Sequence, residues 1–141
     1  MFHVKINEIN ERCRRDPAAF IEESERSYTN VIESIADCIC ENRYDRTILL
    51  LNGPSSSGKT TTSHRIRDAI ERRGICSYVI SMDDYYLSRG SYIVPKDEEG
   101  HDDLESPLCM DLPMLSEHLA ALVRGETIEV PTYDFMRHIR T

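Results

Sequence analysis

Apolar residues at helical spacing mark the first third of the chain. Steps of three and four residues join Tyr28, Val31, Ile32, Ile35, Ala36 and Ile39. This spacing places the six side chains on one face of a helix, which we predict from Pro17 to Asn42. Asp16 marks its start, because a short acceptor side chain caps the first amides and proline is tolerated at the first helical position. Residues 1–15 are polar, with enough apolar positions for a short additional helix.

Two unbroken apolar runs have the pattern of strands that are covered on both faces. They are TILLL at 47–51 and ICSYVISM at 75–82, and neither alternates with polar residues as a half-exposed strand would. Residues 59–73 between them have helical spacing, and Gly74 supplies the stop. Strand, loop, helix and strand make a βαβ unit with a right-handed crossover. The predicted fold class is therefore α/β, a parallel sheet flanked by helices.

The second half of the chain contains a long polar tract. Residues 83–111 are acidic and are broken by two glycines and two prolines. A stretch of this length inside a compact domain is usually functional or disordered. Residues 112–124 then predict a helix that ends at Gly125. The chain closes with a short predicted strand that stops at Pro131, followed by a polar and aromatic segment.

Composition narrows the classes of partner. The 141 residues are 40% hydrophobic and 30% charged, which is typical of one soluble domain. We divide the chain into an N-terminal helical segment, 1–45, and a main domain, 46–141. The net charge of −8 argues against a nucleic-acid or anionic-membrane partner, and no apolar run approaches the roughly 20 residues that span a bilayer. Five cysteines without CxxC spacing indicate reduced thiols in a cytoplasmic protein rather than a metal site.

The clearest chemical signature is GPSSSGKT at residues 53–60, which fits the pattern GxxxxGK[ST] without a mismatch. Glycines let the backbone wrap closely around phosphate, and the following helix directs its positive end at the phosphate oxygens. The predicted phosphate-binding residues are Gly53, Pro54, Ser55, Ser56, Ser57, Gly58, Lys59, Thr60 and Thr61. Lys59 would reach the outer phosphates, and the Thr60 hydroxyl would coordinate Mg²⁺. The alternative is a serine-rich turn that only matches the pattern.

The end of the second predicted strand should face the same cleft, because ligands of open α/β sheets bind beyond the carboxyl ends of the strands. Asp83 and Asp84 lie there. A carboxylate in this place could accept a proton from an attacking hydroxyl. The alternatives are a helix N-cap for Asp83 and a solvated first-turn acid for Asp84. Spacing leaves base and cap equally open for Asp83, whereas the structural role leads for Asp84.

Four segments together resemble the uridine kinase and phosphoribulokinase group of P-loop kinases. They are GPSSSGKTT, SMDDYYLSR, HDDLESPLCMDLPMLSEHL and VPTYDFMRHIR, and the similarity runs from about Tyr28 to the end. The acidic tract and the long N-terminal helix are most similar to bacterial uridine kinase-like proteins in which a threonyl-tRNA-synthetase-like region precedes the kinase. The resemblance implies an enzyme that transfers phosphate from ATP, with Mg²⁺, to the 5′-hydroxyl of uridine or cytidine.

The resemblance also implies roles for individual residues. Asp83 matches the catalytic base and acts with Lys59, while Tyr86 matches an aromatic of the nucleoside pocket. Asp103 matches an acid that binds the ribose hydroxyls, with Asp102 as the alternative. The residues that match contacts to the pyrimidine are Tyr133, Phe135, His138 and Arg140. By residue type alone, the histidine would instead be a surface residue and the two aromatics part of the core.

The resembled kinases continue beyond their YDFxxHxR motif. They have a further strand with an acid for magnesium, a lid with arginines and a segment that holds adenine, and we expect this chain to be an incomplete, C-terminally truncated kinase domain. An uncovered sheet edge would then favour homo-oligomers or a complementing C-terminal segment. The second hypothesis is a nucleotide-binding but catalytically silent module, either truncated or one half of a split enzyme.

Overall fold

The computed structural model describes residues 5–42 and 47–141. The domain boundary predicted near residue 45 lies outside these ranges and stays a prediction. The described chain forms two compact units, one from residues 5–42 and 50–78 and the other from residues 47–49 and 79–141. Within the described ranges, no helix has the length and apolar content to cross a membrane.

The first unit contains three helices, α1 (Ile6–Arg15), α2 (Pro17–Asn42) and α3 (Lys59–Glu71). The backbone amide of Ala19 donates to Asp16 Oδ1 at 3.0 Å, so the predicted capping residue begins α2. Gly74 follows α3 with a φ of 78°, a left-handed conformation that glycine adopts without strain. The three helices predicted from local pattern in this unit are therefore confirmed.

Helices α2 and α3 enclose the core of the first unit. Its buried members are Ile32, Ala36, Ile66, Ala69 and Ile70, with Tyr28, Ile35, Ile39 and Ile75 packed against them. The predicted apolar face of α2 is confirmed except at Val31, which is 52% exposed. Arg73 Nη2 donates to Asp37 at 2.6 Å and Arg73 Nη1 lies 2.8 Å from Glu33 Oε2, so ion pairs flank the apolar contact. Hydrogen bonds from Arg73 and Arg72 lower the pKa of Glu33.

The predicted parallel sheet is not present among the described residues. Residues 47–51 and 75–81 have no regular secondary structure, and the segment before Pro131 forms no strand either. Leu50 is 79% exposed and Tyr78 86% exposed, where burial was expected. The physical reason is that a strand depends on a neighbouring strand for its hydrogen bonds and for cover of its side chains, and these segments join no β ladder in the described chain.

The second unit contains two short 3₁₀ helices, Met82–Tyr85 and Pro107–Cys109, and α4 (Leu112–Arg124). A small antiparallel hairpin of β1 (Tyr133–Asp134) and β2 (Ile139–Arg140) closes it. Its buried residues are Tyr85, Cys109, Leu115 and Ala121. Helix α4 is confirmed as predicted, with Asp111 as its N-cap and Gly125, at a φ of 79°, as its C-cap.

Candidate functional site

The phosphate loop forms the turn that leads into α3 in the first unit. Gly58 has a φ of 85° and Ser56 a φ of 58°, so two residues of the loop take the left-handed conformation. Helix α3 begins at Lys59, and Gly58 has no side chain with which to cap it. The first amides of α3 therefore keep the positive helix end open for an anion.

The loop is wrapped closely around its first glycine. A Cβ added to Gly53 would lie 2.9 Å from Ser57 Oγ, which is closer than carbon and oxygen normally approach, so the Ser57 side chain would have to move. Lys59 Nζ donates to Pro54 O at 2.8 Å, so its ammonium group lies folded back on the loop. A charged phosphate oxygen is a stronger acceptor than this carbonyl, and it would compete for the same ammonium group.

The loop also offers an oxygen ligand for a cation. Thr60 is exposed in the first turn of α3, and Thr61 beside it is exposed as well. Magnesium prefers oxygen ligands, and it often binds through few protein groups together with phosphates and water. In the described part of the chain no three His, Cys, Asp or Glu side chains cluster closely enough to hold a metal. The residues present thus fit a magnesium ion that is bound together with phosphate.

The predicted catalytic acid lies in the first 3₁₀ helix of the second unit. Ser81 Oγ accepts a hydrogen bond from the Asp83 amide at 3.2 Å, so Ser81 is the N-cap and the capping alternative for Asp83 is wrong. The Asp83 side chain is exposed. Asp84 is half-buried, and its Oδ1 accepts from the Tyr133 amide at 3.2 Å. Asp84 is therefore not a purely solvated acid, because it ties this helix to the hairpin.

A buried tyrosine supports the helix that carries Asp83. The ring of Tyr85 is fully buried, and its hydroxyl lies 3.0 Å from His118 Nδ1 on α4. Burial raises the pKa of the Tyr85 hydroxyl. Sequence patterns did not identify this pair. Helical spacing puts His118 on α4, but nothing in the spacing indicates a partner 33 residues away.

Three residues predicted to bind the nucleoside form one aromatic cluster. The ring centroids of Tyr86 and Tyr133 are 5.6 Å apart, those of Tyr133 and Phe135 4.8 Å, and those of Tyr86 and Phe135 6.1 Å. Burial, and then the charge of Asp83, raises the pKa of Tyr86. Phe135 is 55% exposed, so the cluster presents open aromatic surface on which a planar base could stack.

The remaining residues of the closing motif lie in the hairpin. His138 is half-buried with a φ of 57°, and its carbonyl accepts a hydrogen bond from the Arg89 amide at 2.9 Å. Arg140 Nη1 lies 2.9 Å from Asp111 Oδ2, and the Arg140 amide donates to Ser88 Oγ at 3.0 Å. The guanidinium group predicted to contact substrate is therefore paired with the N-cap of α4.

The two candidate ribose acids have different partners. Asp102 is exposed and pairs with Lys96, whose hydrogen bond lowers the pKa of the Asp102 carboxyl. Asp103 is half-buried, and its Oδ1 accepts from the Glu105 amide at 3.1 Å. The Asp103 amide donates to Pro95 O at 2.9 Å. Among the residues that the structure describes, Lys96 pairs with Asp102 and no ion pair neutralises Asp103, so Asp103 is the freer hydrogen-bond acceptor of the two.

Comparison with known proteins finds a matching family and several similar enzymes. Residues 48–141 match the model of the Phosphoribulokinase / Uridine kinase family. Curated uridine kinases of Deinococcus deserti and Alkaliphilus metalliredigens are 34% and 33% identical to this chain over 89 and 90 residues, which are 63% and 64% of this chain and 41% of each relative. The uridine kinase of Lactobacillus helveticus is 34% identical over 94 residues, 67% of this chain and 43% of that relative. The chain therefore spans less than half the length of these relatives. No solved structure matches it significantly.

Proposed function

Because this chain belongs to the phosphoribulokinase and uridine kinase family, we propose that it takes part in transferring phosphate from ATP to the 5′-hydroxyl of uridine or cytidine. The observation that carries the proposal is the phosphate loop, a tight glycine turn at the uncapped start of α3. The aromatic cluster of Tyr86, Tyr133 and Phe135 supports a nucleoside as the acceptor. Cytoplasmic location and association with itself or with a complementing segment stay predictions.

On the donor side, the residues of α3 hold the triphosphate. Lys59 leaves the Pro54 carbonyl and pairs with the outer phosphates, and the amides of the first turn donate to their oxygens. Thr60 would be the protein ligand for Mg²⁺, and the bound ion would neutralise part of the phosphate charge. These interactions stabilise the charge that builds up on the transferred group.

On the acceptor side, Asp83 is the general base. The 5′-oxygen attacks the γ-phosphorus, the bond to the ADP oxygen breaks, and the hydroxyl proton moves to the Asp83 carboxylate. The pyrimidine stacks on the aromatic cluster, with His138 at its polar edge, and Asp103 accepts hydrogen bonds from the ribose hydroxyls. Arg140 serves this site through its ion pair with Asp111, which fixes the hairpin to α4.

Binding of ATP tests the donor half of this proposal. Titration calorimetry with ATP and Mg²⁺ should show binding to the unmodified chain. Lys59→Met should weaken it about 10- to 100-fold, because it removes a charge-assisted hydrogen bond worth about 1.5 to 3 kcal/mol. Lys5→Met makes the same chemical change at an exposed residue beside α1 and should leave the affinity unchanged. Equal affinities for the Lys59 and Lys5 variants would remove Lys59 from its role.

Formation of uridine 5′-monophosphate tests the acceptor half. Asp83→Asn should lower the transfer rate about 100- to 10,000-fold while leaving ATP affinity within about twofold, since a general base acts on the chemical step. Glu117→Gln removes a charge from an exposed residue of α4 in the same unit and should keep the full rate. A transfer rate in Asp83→Asn equal to that of Glu117→Gln would eliminate Asp83 as the base.

A further inference from the structure

A contact from α2 reaches the first turn of the phosphate-loop helix. The Tyr28 hydroxyl and Thr62 Oγ1 share a hydrogen bond of 2.6 Å. The Thr62 amide donates to Gly58 O at 2.9 Å, and this bond closes the first turn of α3. Thr62 lies two residues after Thr60, so the side chain of Tyr28 is fixed to the same helical turn that carries the proposed phosphate and magnesium ligands.

The ring of Tyr28 is held by a second contact. The Arg65 guanidinium group lies 4.9 Å from the centre of the Tyr28 ring, and Arg65 Nη1 pairs with Glu25 Oε2 at 3.2 Å. Thr62 and Arg65 are three residues apart on α3 and face the same side of it. Tyr28 therefore contacts two successive turns of α3, one through its hydroxyl and one through its ring.

These contacts fix how α3 is rotated about its own axis. The side chains of a helix turn together with its backbone. A rotation of the first turn would therefore move Lys59 and Thr60 away from the oxygens of a bound phosphate. The apolar core between Ile32 and Ile66 holds the two helices together but is non-directional. The hydrogen bond between Tyr28 and Thr62 and the stacking of Arg65 on the Tyr28 ring are directional. They act on the first two turns of α3, whose orientation sets the direction of the phosphate ligands.

We propose that Tyr28 is a positioning residue for the phosphate loop, acting through Thr62 to keep the first turn of α3 in the orientation that binds nucleotide. Its consequence for nucleotide affinity rests on the proposed function. Helix α2 lies outside residues 48–141, the part of the chain that matches the family model. Helix α2 is thereby coupled to nucleotide affinity in this chain, because loss of the Tyr28 contact reduces the fraction of molecules whose phosphate loop can bind nucleotide.

Removal of either hydroxyl tests the contact with little change in shape. Tyr28→Phe keeps the ring over Arg65, and Thr62→Val keeps the branched side chain of Thr62. Each variant should weaken binding of ATP with Mg²⁺ about three- to tenfold, the range of one hydrogen bond. Amide hydrogen exchange should accelerate at Thr62 in Tyr28→Phe. The double variant should bind no more weakly than the weaker single variant, because both changes delete the same bond.

A contact at the other end of α3 provides the control. Arg72 Nη2 donates to Glu33 Oε1 at 2.5 Å, which joins α2 to α3 far from the loop. Arg72→Gln should keep the ATP affinity and change exchange only near the end of α3. The proposal is overturned if Tyr28→Phe leaves both the amide exchange at Thr62 and the ATP affinity unchanged. It is also overturned if Arg72→Gln weakens ATP binding as much as Tyr28→Phe does. Failure of the unmodified chain to bind ATP would count against the proposed function, while the exchange comparison would still decide whether Tyr28 orders the first turn.

Discussion

Asp111 connects two elements of the second unit, and its replacement should separate two contributions to stability. Its Oδ1 accepts from the Met114 amide at 3.0 Å and caps α4. Its Oδ2 lies 2.9 Å from Arg140 Nη1, and the two side chains are only 22% and 21% exposed. Asp111→Ala removes both interactions, whereas Asp111→Asn keeps an oxygen that can cap the helix and loses only the ion pair.

The expected magnitudes follow from these contacts. Loss of an N-cap costs about 1 kcal/mol. Loss of the ion pair costs about another 1 kcal/mol, at the upper end for surface pairs, because both partners are largely screened from water. Asp111→Ala should therefore lower the free energy of unfolding by about 2 kcal/mol, and Asp111→Asn by about half as much.

Urea unfolding followed by circular dichroism measures these differences. Arg140→Gln should match Asp111→Asn, and the double variant should be no less stable than either single variant, because both remove one interaction. Equal losses for Asp111→Asn and Asp111→Ala would show that the cap contributes nothing. No loss for Asp111→Asn would show that the pair with Arg140 is not a stabilising contact.

The pH dependence of stability should reflect the same two interactions of Asp111. The Met114 amide, and then Arg140, lowers the pKa of the folded Asp111 carboxyl, whereas the unfolded carboxyl has a pKa of about 3.9. The contribution of Asp111 is therefore complete above the unfolded pKa and is lost as the pH falls through the lower folded pKa. Asp111→Asn should reduce the acid-induced loss of stability below about pH 4. The same loss of stability below about pH 4 in Asp111→Asn as in the unmodified chain would contradict this role.

Three further substitutions test other parts of the chain. Gly53→Ala should weaken ATP binding because of its contact with Ser57 Oγ, and adding Ser57→Ala should restore much of it; absence of rescue would refute the steric explanation. Phe135→Ala should weaken uridine binding by about 1 to 3 kcal/mol in calorimetry, as loss of a stacking partner does; unchanged binding would place the base elsewhere. Tyr85→Phe should lower the free energy of unfolding by about 1 kcal/mol through loss of the bond to His118, and equal stability in urea would contradict that.

Helices were predictable from the sequence because their signals are local. Asp16 and Pro17 start α2, and Gly125 ends α4, through contacts with residues a few positions away. The apolar runs at 47–51 and 75–82 also carry the composition of strands, but a strand requires a partner that composition does not specify. The described chain shows no ladder there, so the same kind of pattern predicted helices that the structure contains and strands that its described residues do not form.

The candidate site was predictable only in part. The phosphate loop is one contiguous motif, and its geometry follows from its own glycines. The grouping of Tyr86 with Tyr133 came from family resemblance, because no spacing rule links residues so far apart. Contacts such as Asp84 with the Tyr133 amide, 49 residues on, depend on tertiary packing and left no local signal.

The most direct test of the proposed function is competition between acceptors. The chain is incubated with γ-labelled ATP, Mg²⁺ and equal concentrations of uridine, cytidine, adenosine, pantothenate and ribulose 5-phosphate, and the labelled products are separated. We expect label in the 5′-monophosphates of uridine or cytidine, and its loss in Asp83→Asn. Label in phosphopantothenate or in the bisphosphate of the sugar, or no labelled acceptor at all, would contradict pyrimidine nucleoside phosphorylation by this chain.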